Sequence, residues 1–325
     1  MERGSDIARA ARLLAGGGLV AFPTETVYGL GADAASEAAV LRIFAAKGRP
    51  HHHPLIVHLA EGARLEDWAL DIPEAAHRLA QAAWPGPLTL ILRKGPRVSA
   101  AATGGAATVG LRVPAHPVAQ ALLRRFGGGI AAPSANRFGA VSPTTADHVA
   151  DDLGDAVDYL LDGGSCEVGV ESTIVDLSRG RAVLLRPGGL ARDQIEPITG
   201  PLAAADAGAP AAPGTLAGHY APRAEVIAVA VDEVPAAVAA ASRGGAVVAV
   251  LAPVAAFAAW PALAARAYAL PDDPAGMARG LYAALRDLDA AGINVVIAAL
   301  PPAVGLGEAV GDRLRRAAGS RRDPS

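Results

Sequence analysis

The sequence predicts an α/β protein in two units, and three observations carry that expectation. Apolar runs at helical spacing alternate with short strand-like runs through residues 1–200. Composition then shifts to Ala, Gly and Pro between Gly200 and Pro222. A second, shorter alternation of strands and helices follows and points to a compact, mostly parallel α/β unit. The length of 325 residues agrees with about two domains.

Ser5 is placed to cap a first helix whose stripe is Ile7, Ala10, Ala11 and Leu14, and Gly16 to Gly18 stop it. Leu19 to Phe22 reads as a strand ending at Pro23. Ser36 caps a second helix, with Val40, Ile43 and Phe44 inward and Gly48 just past its end. Leu55 to Leu59 is a strand, Glu74 to Trp84 a helix, and Leu88 to Leu92 a strand. In Thr108 to Val113 the alternation puts Val109, Leu111 and Val113 on one face and Thr108 with Arg112 on the other. Gly129 to Ala132 is a short apolar strand. Glu171 to Leu177 and Arg181 to Arg186 form a hairpin across Ser178, Arg179 and Gly180. Beyond the Ala/Gly/Pro segment, strands are expected at Glu225 to Val231, Ala246 to Leu251 and Ile293 to Leu300. A helix between them carries Met277, Leu281, Leu285 and Leu288 on one face.

Composition excludes several classes. Hydrophobic residues at 52% allow a large core. A net charge of −3 gives no basic footprint for strong sequence-independent nucleic-acid binding. Cys166 is the single cysteine, which excludes an intrachain disulfide and fits a reducing cytoplasm. The stretch from Gly244 to Ala265 has no charge, but Pro253 and Pro261 break it. It reads as a buried strand followed by loop and helix, not a membrane span.

Gly29-Leu30-Gly31-Ala32-Asp33-Ala34 spells G-x-G-x-x-A, yet Pro23 to Thr26 separate it from the preceding strand and the acidic partner is missing; a dinucleotide site is not expected. No P-loop and no G-x-S-x-G elbow occur. His51-His52-His53 with His58 invites a metal reading, but adjacent histidines on an irregular segment rarely converge on one ion. Solvated loop histidines are expected instead. Cys166 reads as an inert thiol.

Only two lysines occur, Lys47 and Lys94, among 29 cationic residues. One of them stands beside Arg49 at a helix exit, a compact ammonium next to a planar guanidinium, which suits an anionic ligand such as a nucleotide phosphate chain. Ser134 and Asn136 close the strand after Gly129. Each of these residues also has an ordinary reading. Lys47 suits the helix dipole, Ser134 and Asn136 suit turns, and Arg112 suits a strand surface. Together they supply ammonium, guanidinium, hydroxyl and amide groups for a nucleotide and a carboxylate.

Ordered blocks extend this picture. They are Phe22 to Gly31, Lys47 to Pro50, Pro54 to His58, Trp84 to Thr89, Val109 to Pro114, Ala132 to Asn136, Ser142 to Thr144, Gly169 to Thr173 and Leu185 to Gly188. They resemble the YrdC-type threonylcarbamoyl-AMP synthases across nearly all of residues 5–200. Pro213 to Pro222, Gly305 to Gly307 and Arg313-Leu314 are similar, more weakly, to the long form of that family. The resemblance implies a twisted mixed sheet with flanking helices and a concave site, then a smaller Rossmann-like domain. The expected bounds are 1–200 for the catalytic domain, 201–223 for a linker or lid, 224–318 for the small domain and 319–325 for a tail.

It also implies a reaction: L-threonine, bicarbonate and ATP give threonylcarbamoyl-AMP and pyrophosphate, with magnesium accompanying ATP. The product would pass to a tRNA threonylcarbamoyl-transfer complex, with direct tRNA binding weak or absent and no membrane involved. The family pattern sets threonine against Thr26, His58, Arg112, Ser134 and Ser172. It sets ATP against Lys47, Arg49, His53, Thr108, Asn136, Ser142, Thr144, Arg186 and Tyr220. Lys47, Arg49, Ser134 and Asn136 are the expected catalytic group, and no protein-held metal is expected. Where the family usually has Ser-x-Asn after Arg-Pro, this chain has His51-His52-His53, so ATP binding is expected to gain some pH sensitivity through His53. Tyr220, at the end of the Ala/Gly/Pro tether, suggests a lid over the nucleotide. Two rivals remain open here. One is a carbamoyl-transfer enzyme of the same fold, although the acylphosphatase, zinc-finger or kinase-like modules that usually accompany it are not seen. The other is an RNA-binding module, which the charge and the 4% aromatic content disfavour.

Overall fold

The computed structural model describes residues 1–215 and 219–319, so Gly218 and residues 320–325 of the expected tail lie outside the described residues. The chain divides into two compact units. The first comprises Met1–Phe138, Ser142–Glu167 and Glu171–Thr215; the second comprises Gly139–Val141, Val168–Val170 and the described chain beyond Thr215.

The first unit begins with β1 (Glu2–Gly4), α1 (Ile7–Ala15), β2 (Val20–Phe22), β3 (Gly29–Asp33), α2 (Glu37–Lys47) and β4 (Ile56–His58). It continues with β5 (Ala69–Leu70), α3 (Glu74–Ala83), β6 (Leu88–Lys94), β7 (Thr108–Arg112), α4 (Pro117–Phe126) and β8 (Ile130–Ala131). It ends with α5 (Ala146–Leu153), β9 (Tyr159–Leu161), β10 (Thr173–Asp176), β11 (Val183–Arg186), α6 (Arg192–Thr199) and β12 (Ala203–Ala204). The strands form one mixed sheet in the order β1-β9-β2-β3-β8-β4-β7-β6-β10-β11-β12, with β5 against β6. The mixed sheet with flanking helices agrees with the expected fold class.

The strands alternate between two apolar layers, as a period of two requires. Val57, Leu90, Leu111 and Val175 join the main core. Ile56, Ile91, Ile174, Val183 and Leu185 face the other way and form a smaller cluster with Ala212. His58 is two residues from Ile56 and Thr89 is two from Ile91, so both share the face of the smaller cluster.

Four local expectations change. Asp6, not Ser5, caps α1, because its carboxylate accepts the Arg9 N–H. Glu2–Gly4, ahead of the first helix and not expected as a strand, pairs with β9 as one. Gly29–Asp33, where no strand is expected, is one: a Cβ on Gly31 would stand 2.8 Å from both Phe22 and Ile130, so close strand packing accounts for the small residue. The segment after Gly200 is not a free spacer. β12 pairs with β11, Ala212 is buried in the smaller cluster, and Arg186 Nη1 donates to the Pro213 carbonyl at 2.9 Å.

The second unit contains β13 (Glu225–Val229), α7 (Val234–Ser242), β14 (Val248–Pro253), β15 (Ala267–Leu270), α8 (Pro274–Ala290), β16 (Val295–Ala299) and α9 (Leu306–Ala317). All its pairings are parallel, in the order β13-β16-β14-β15. The uncharged Gly244 to Ala265 stretch resolves into buried β14 and two short 3₁₀ segments. Among the described residues no helix is long and apolar enough to cross a membrane. Gly169 packs against α8 with φ +81°, and a Cβ there would fall 2.4 Å from the Ala278 carbonyl oxygen, so both backbone angle and space require glycine. Tyr220 lies in this unit. The Arg313 guanidinium sits 4.8 Å from its ring centroid, and Tyr282 stacks beside it at 5.9 Å.

Candidate functional site

α2 delivers Lys47. Ser36 caps its start, accepting the Ala39 N–H, and Gly48 ends it in the left-handed conformation at φ 64°. Lys47 is 3% exposed. Its Nζ donates to the Ser134 carbonyl at 2.6 Å and to the Asn136 carbonyl. The Phe138 N–H returns to the Lys47 carbonyl at 2.9 Å. Residues 133–135 are also stitched to β3 and the residue before it, through Leu30 N–H to Pro133 O and Ala135 N–H to Tyr28 O, each 2.8 Å. The helix exit and the Ser134–Asn136 turn, distant in sequence, therefore meet. Burial, reinforced by the Arg49 charge, holds the Lys47 pKa well below its ordinary value.

Arg49 is buried, donates Nη2 to the Pro54 carbonyl at 2.9 Å and lies 5.7 Å from the Phe138 ring centroid. His53 meets the same ring edge-on at 5.4 Å. His51 stacks on Phe44 at 5.1 Å, and His51 and His52 are exposed. Among the described residues no group of three His, Cys, Asp or Glu could hold a metal ion. Burial first, then Arg49, pushes His53 down to about 4. Burial and Arg49 therefore work against protonation of His53 in the free protein, while a bound polyphosphate would work for it.

His58 and Arg112 stand side by side in the parallel β4–β7 pair. Both are buried. Arg112 Nη2 donates to Glu25 Oε1 at 2.6 Å and Nε to the Gly86 carbonyl at 3.3 Å, while Nη1 makes no hydrogen bond to a described residue. Glu25 Oε2 accepts the Ala115 N–H at 3.0 Å. Next to it, Thr26 Oγ1 is 2.8 Å from Thr24 Oγ1, which donates to the Val27 carbonyl at 2.6 Å. This arrangement can bind a carboxylate against a fixed guanidinium beside small hydroxyls.

Burial, with the Arg112 charge second, pushes His58 down to about 3, and its Nδ1 has no partner among the described residues. Above the ordinary value of 6.5 the imidazole is neutral in both folded and unfolded chains. As pH falls towards 3 the unfolded chain takes up the proton first, so stability is lost over that window. The slope is about 1.4 kcal/mol per pH unit for this group. Denaturant unfolding between about pH 6.5 and pH 4.5 should show a shallower loss in His58→Gln than in the parent. Equal slopes would reject the assignment.

The remaining expected residues are placed as follows. Ser172 Oγ is 2.8 Å from Thr89 Oγ1, and Arg186 Nη2 donates to the Ser172 carbonyl at 2.8 Å. Ser142 donates to Glu171 Oε1 at 2.6 Å. The Thr144 N–H donates to His148 Nδ1 at 3.2 Å. Thr108 begins β7, opposite Arg93. Tyr220 belongs to the second unit. Cys166 is buried and its thiol is pushed up to about 12, mainly by desolvation, as an inert thiol requires. Sequence reading did not select Glu25, Thr89, Phe138 or Glu171. Glu25, Thr89 and Glu171 lie inside the blocks named above, and the signal available was a polar residue in an otherwise buried stretch.

Comparison with known proteins gives consistent matches. The Sua5–YciO–YrdC family model, described as telomere recombination, matches residues 12–188. The model of the threonylcarbamoyl-AMP synthase C-terminal domain matches residues 190–319. The threonylcarbamoyl-AMP synthase of Pyrococcus abyssi is 44% identical over 327 residues, covering 96% of this chain and 94% of that protein. That of Bacillus subtilis is 42% identical over 324 residues, covering 97% and 93%. The crystal structure of P. abyssi Sua5 complexed with L-threonine aligns with a TM-score of 0.90 at 42% identity, over 98% of this chain and 96% of that one.

Proposed function

We infer the chemistry of this site from one premise: the chain belongs to the Sua5–YrdC family of threonylcarbamoyl-AMP synthases, with the C-terminal domain of the long form. It is a threonylcarbamoyl-AMP synthase, an ATP-using transferase acting in tRNA modification. The observation that carries this reading is the full-length match to a relative that holds L-threonine.

The finer chemistry is our proposal. The threonine amine and bicarbonate combine to a carbamate and water. The carbamate oxygen attacks the α-phosphorus of ATP, and pyrophosphate leaves. Arg112 receives the threonine carboxylate through Nη1, and Thr26, Ser134, Ser172 and His58 surround its hydroxyl and amine. Lys47 and Arg49 neutralise charge on the phosphates, and Asn136 and Ser134 position the reacting groups. The work is positioning and charge stabilisation, with no covalent enzyme intermediate. His53, Thr108, Ser142, Thr144 and Arg186 complete the nucleotide contacts. Magnesium enters with ATP as part of the substrate. It would neutralise phosphate charge there, and no step is assigned through it. The adenylate then passes to a separate tRNA threonylcarbamoyl-transfer complex.

ATP consumption that requires both threonine and bicarbonate is the expected result. Dependence on carbamoyl phosphate instead, or tight RNA binding without turnover, would overturn the assignment.

A further inference from the structure

The loop between β2 and β3 carries Glu25, and its partner Arg112 ends β7. In the sheet, β3, β8 and β4 lie between β2 and β7. At about 4.8 Å per strand this is a separation of about 19 Å across the sheet. The contact is thus made by a loop reaching across three strand ends to meet a long side chain. Both partners are buried, at 7% and 4% side-chain exposure. Glu25 uses both oxygens, one on Arg112 and one on the Ala115 N–H that follows β7. The Gly86 carbonyl fixes the guanidinium from a third direction through Nε. Nη1 is left uncommitted, and Thr26 follows Glu25 directly.

We propose that Glu25 is a positioning residue for the amino-acid substrate: it orients the Arg112 guanidinium so that Nη1 presents its N–H groups to the threonine carboxylate, and it fixes Thr26 relative to them. This rests on the synthase reading of the site and deepens it. A carboxylate suits the task because it accepts in two directions at once and neutralises a cation held out of water. The pair also leaves the pocket without net charge, so recognition depends on direction more than on bulk attraction.

The test compares the full-length parent with Glu25→Gln and Glu25→Asp. Three quantities are measured: the KM for threonine, the KM for ATP, and the preference for L-threonine over L-threoninamide, which lacks the carboxylate. Thermal melting of each protein accompanies them. In Glu25→Gln the threonine KM should rise about thirtyfold or more, while the ATP KM stays within about twofold, a margin far below the cost of a lost charged contact. The preference for threonine over its amide should narrow by a similar factor. A merely structural loss would lower kcat and melting together and leave that preference intact. If Glu25→Gln does not fold, Glu25→Asp decides, since it keeps the charge but is too short to reach both partners. A folded variant with the parent's threonine KM and its discrimination overturns the proposal. A parent that neither binds nor turns over threonine overturns the synthase reading, and the positioning role with it.

Discussion

Lys47→Met should lower the rate of adenylate formation by about a hundredfold or more, the largest single effect expected from this chain. Lys47 is buried, and its ammonium is directed at two carbonyls of the Ser134–Asn136 turn. Burial and Arg49 both disfavour its charge in the free protein. A triphosphate beside it would restore that charge by Coulombic attraction, so the cation is strengthened when charge must be neutralised. The same side chain sets the distance from the helix exit to the turn that carries Ser134 and Asn136, so its loss removes a charge and loosens a frame. Methionine matches the stem in length and withdraws one donor from each carbonyl, at a cost of about 1–3 kcal/mol for a buried acceptor that finds no other. Removal of a buried ammonium offsets part of that cost. Folding stability should therefore change far less than the rate. Lys47→Arg should not restore activity, because a planar fork does not replace a compact ammonium between two carbonyls. A Lys47→Met enzyme within tenfold of the parent, by single-turnover adenylate formation (roughly the span that separates a lost transition-state contact from a minor one), would reject the role.

Much of this site was legible because strand and helix ends announce themselves. Gly48 after an apolar helical stripe marked where Lys47 must emerge, and the alternation in Thr108 to Val113 marked Arg112 as facing away from the main core. The hairpin through Ser178 to Gly180 followed from the same periodicity, with β10 and β11 antiparallel as read. The failures have physical causes. β1 is three residues long and its pattern is polar, so no apolar period exposes it; its place comes from pairing with β9, far along the chain. β3 contains two glycines, which weaken the strand signal, so no strand is read there; Phe22 and Ile130 occupy the space where side chains would stand. The Ala/Gly/Pro composition after Gly200 says flexible spacer, yet alanine is also small enough to sit against the apolar cluster, as Ala212 does. The surroundings of His53 were not legible in the sequence either, because its neighbours come from elsewhere in the chain. Only the fold places it against Phe138 and Arg49, where protonation is penalised. Glu25 was invisible as a functional group because its partner is 87 residues away.

That same pairing makes Arg112→Met the second large effect, and it separates folding from chemistry. Arg112 is the only ion-pair partner of Glu25 among the described residues. Replacing it with an apolar side chain leaves a carboxylate buried and uncompensated, which costs about 3–5 kcal/mol of stability. On the proposed binding mode the threonine carboxylate would also lose its guanidinium, so threonine should no longer saturate the enzyme at accessible concentrations. The double variant Arg112→Met, Glu25→Gln removes both charges and keeps an acceptor for the Ala115 N–H. An apolar partner beside a neutral amide avoids the stranded charge, so most of the lost stability should return. Activity should not return, because nothing remains to receive the substrate carboxylate. Denaturant unfolding and threonine saturation, measured on the parent, both single variants and the double variant, form a complete cycle. Recovery of stability without recovery of threonine binding identifies Arg112 as a substrate ligand held by its pair. Recovery of both together would mean that the guanidinium serves the fold alone, and the threonine carboxylate must then be held elsewhere.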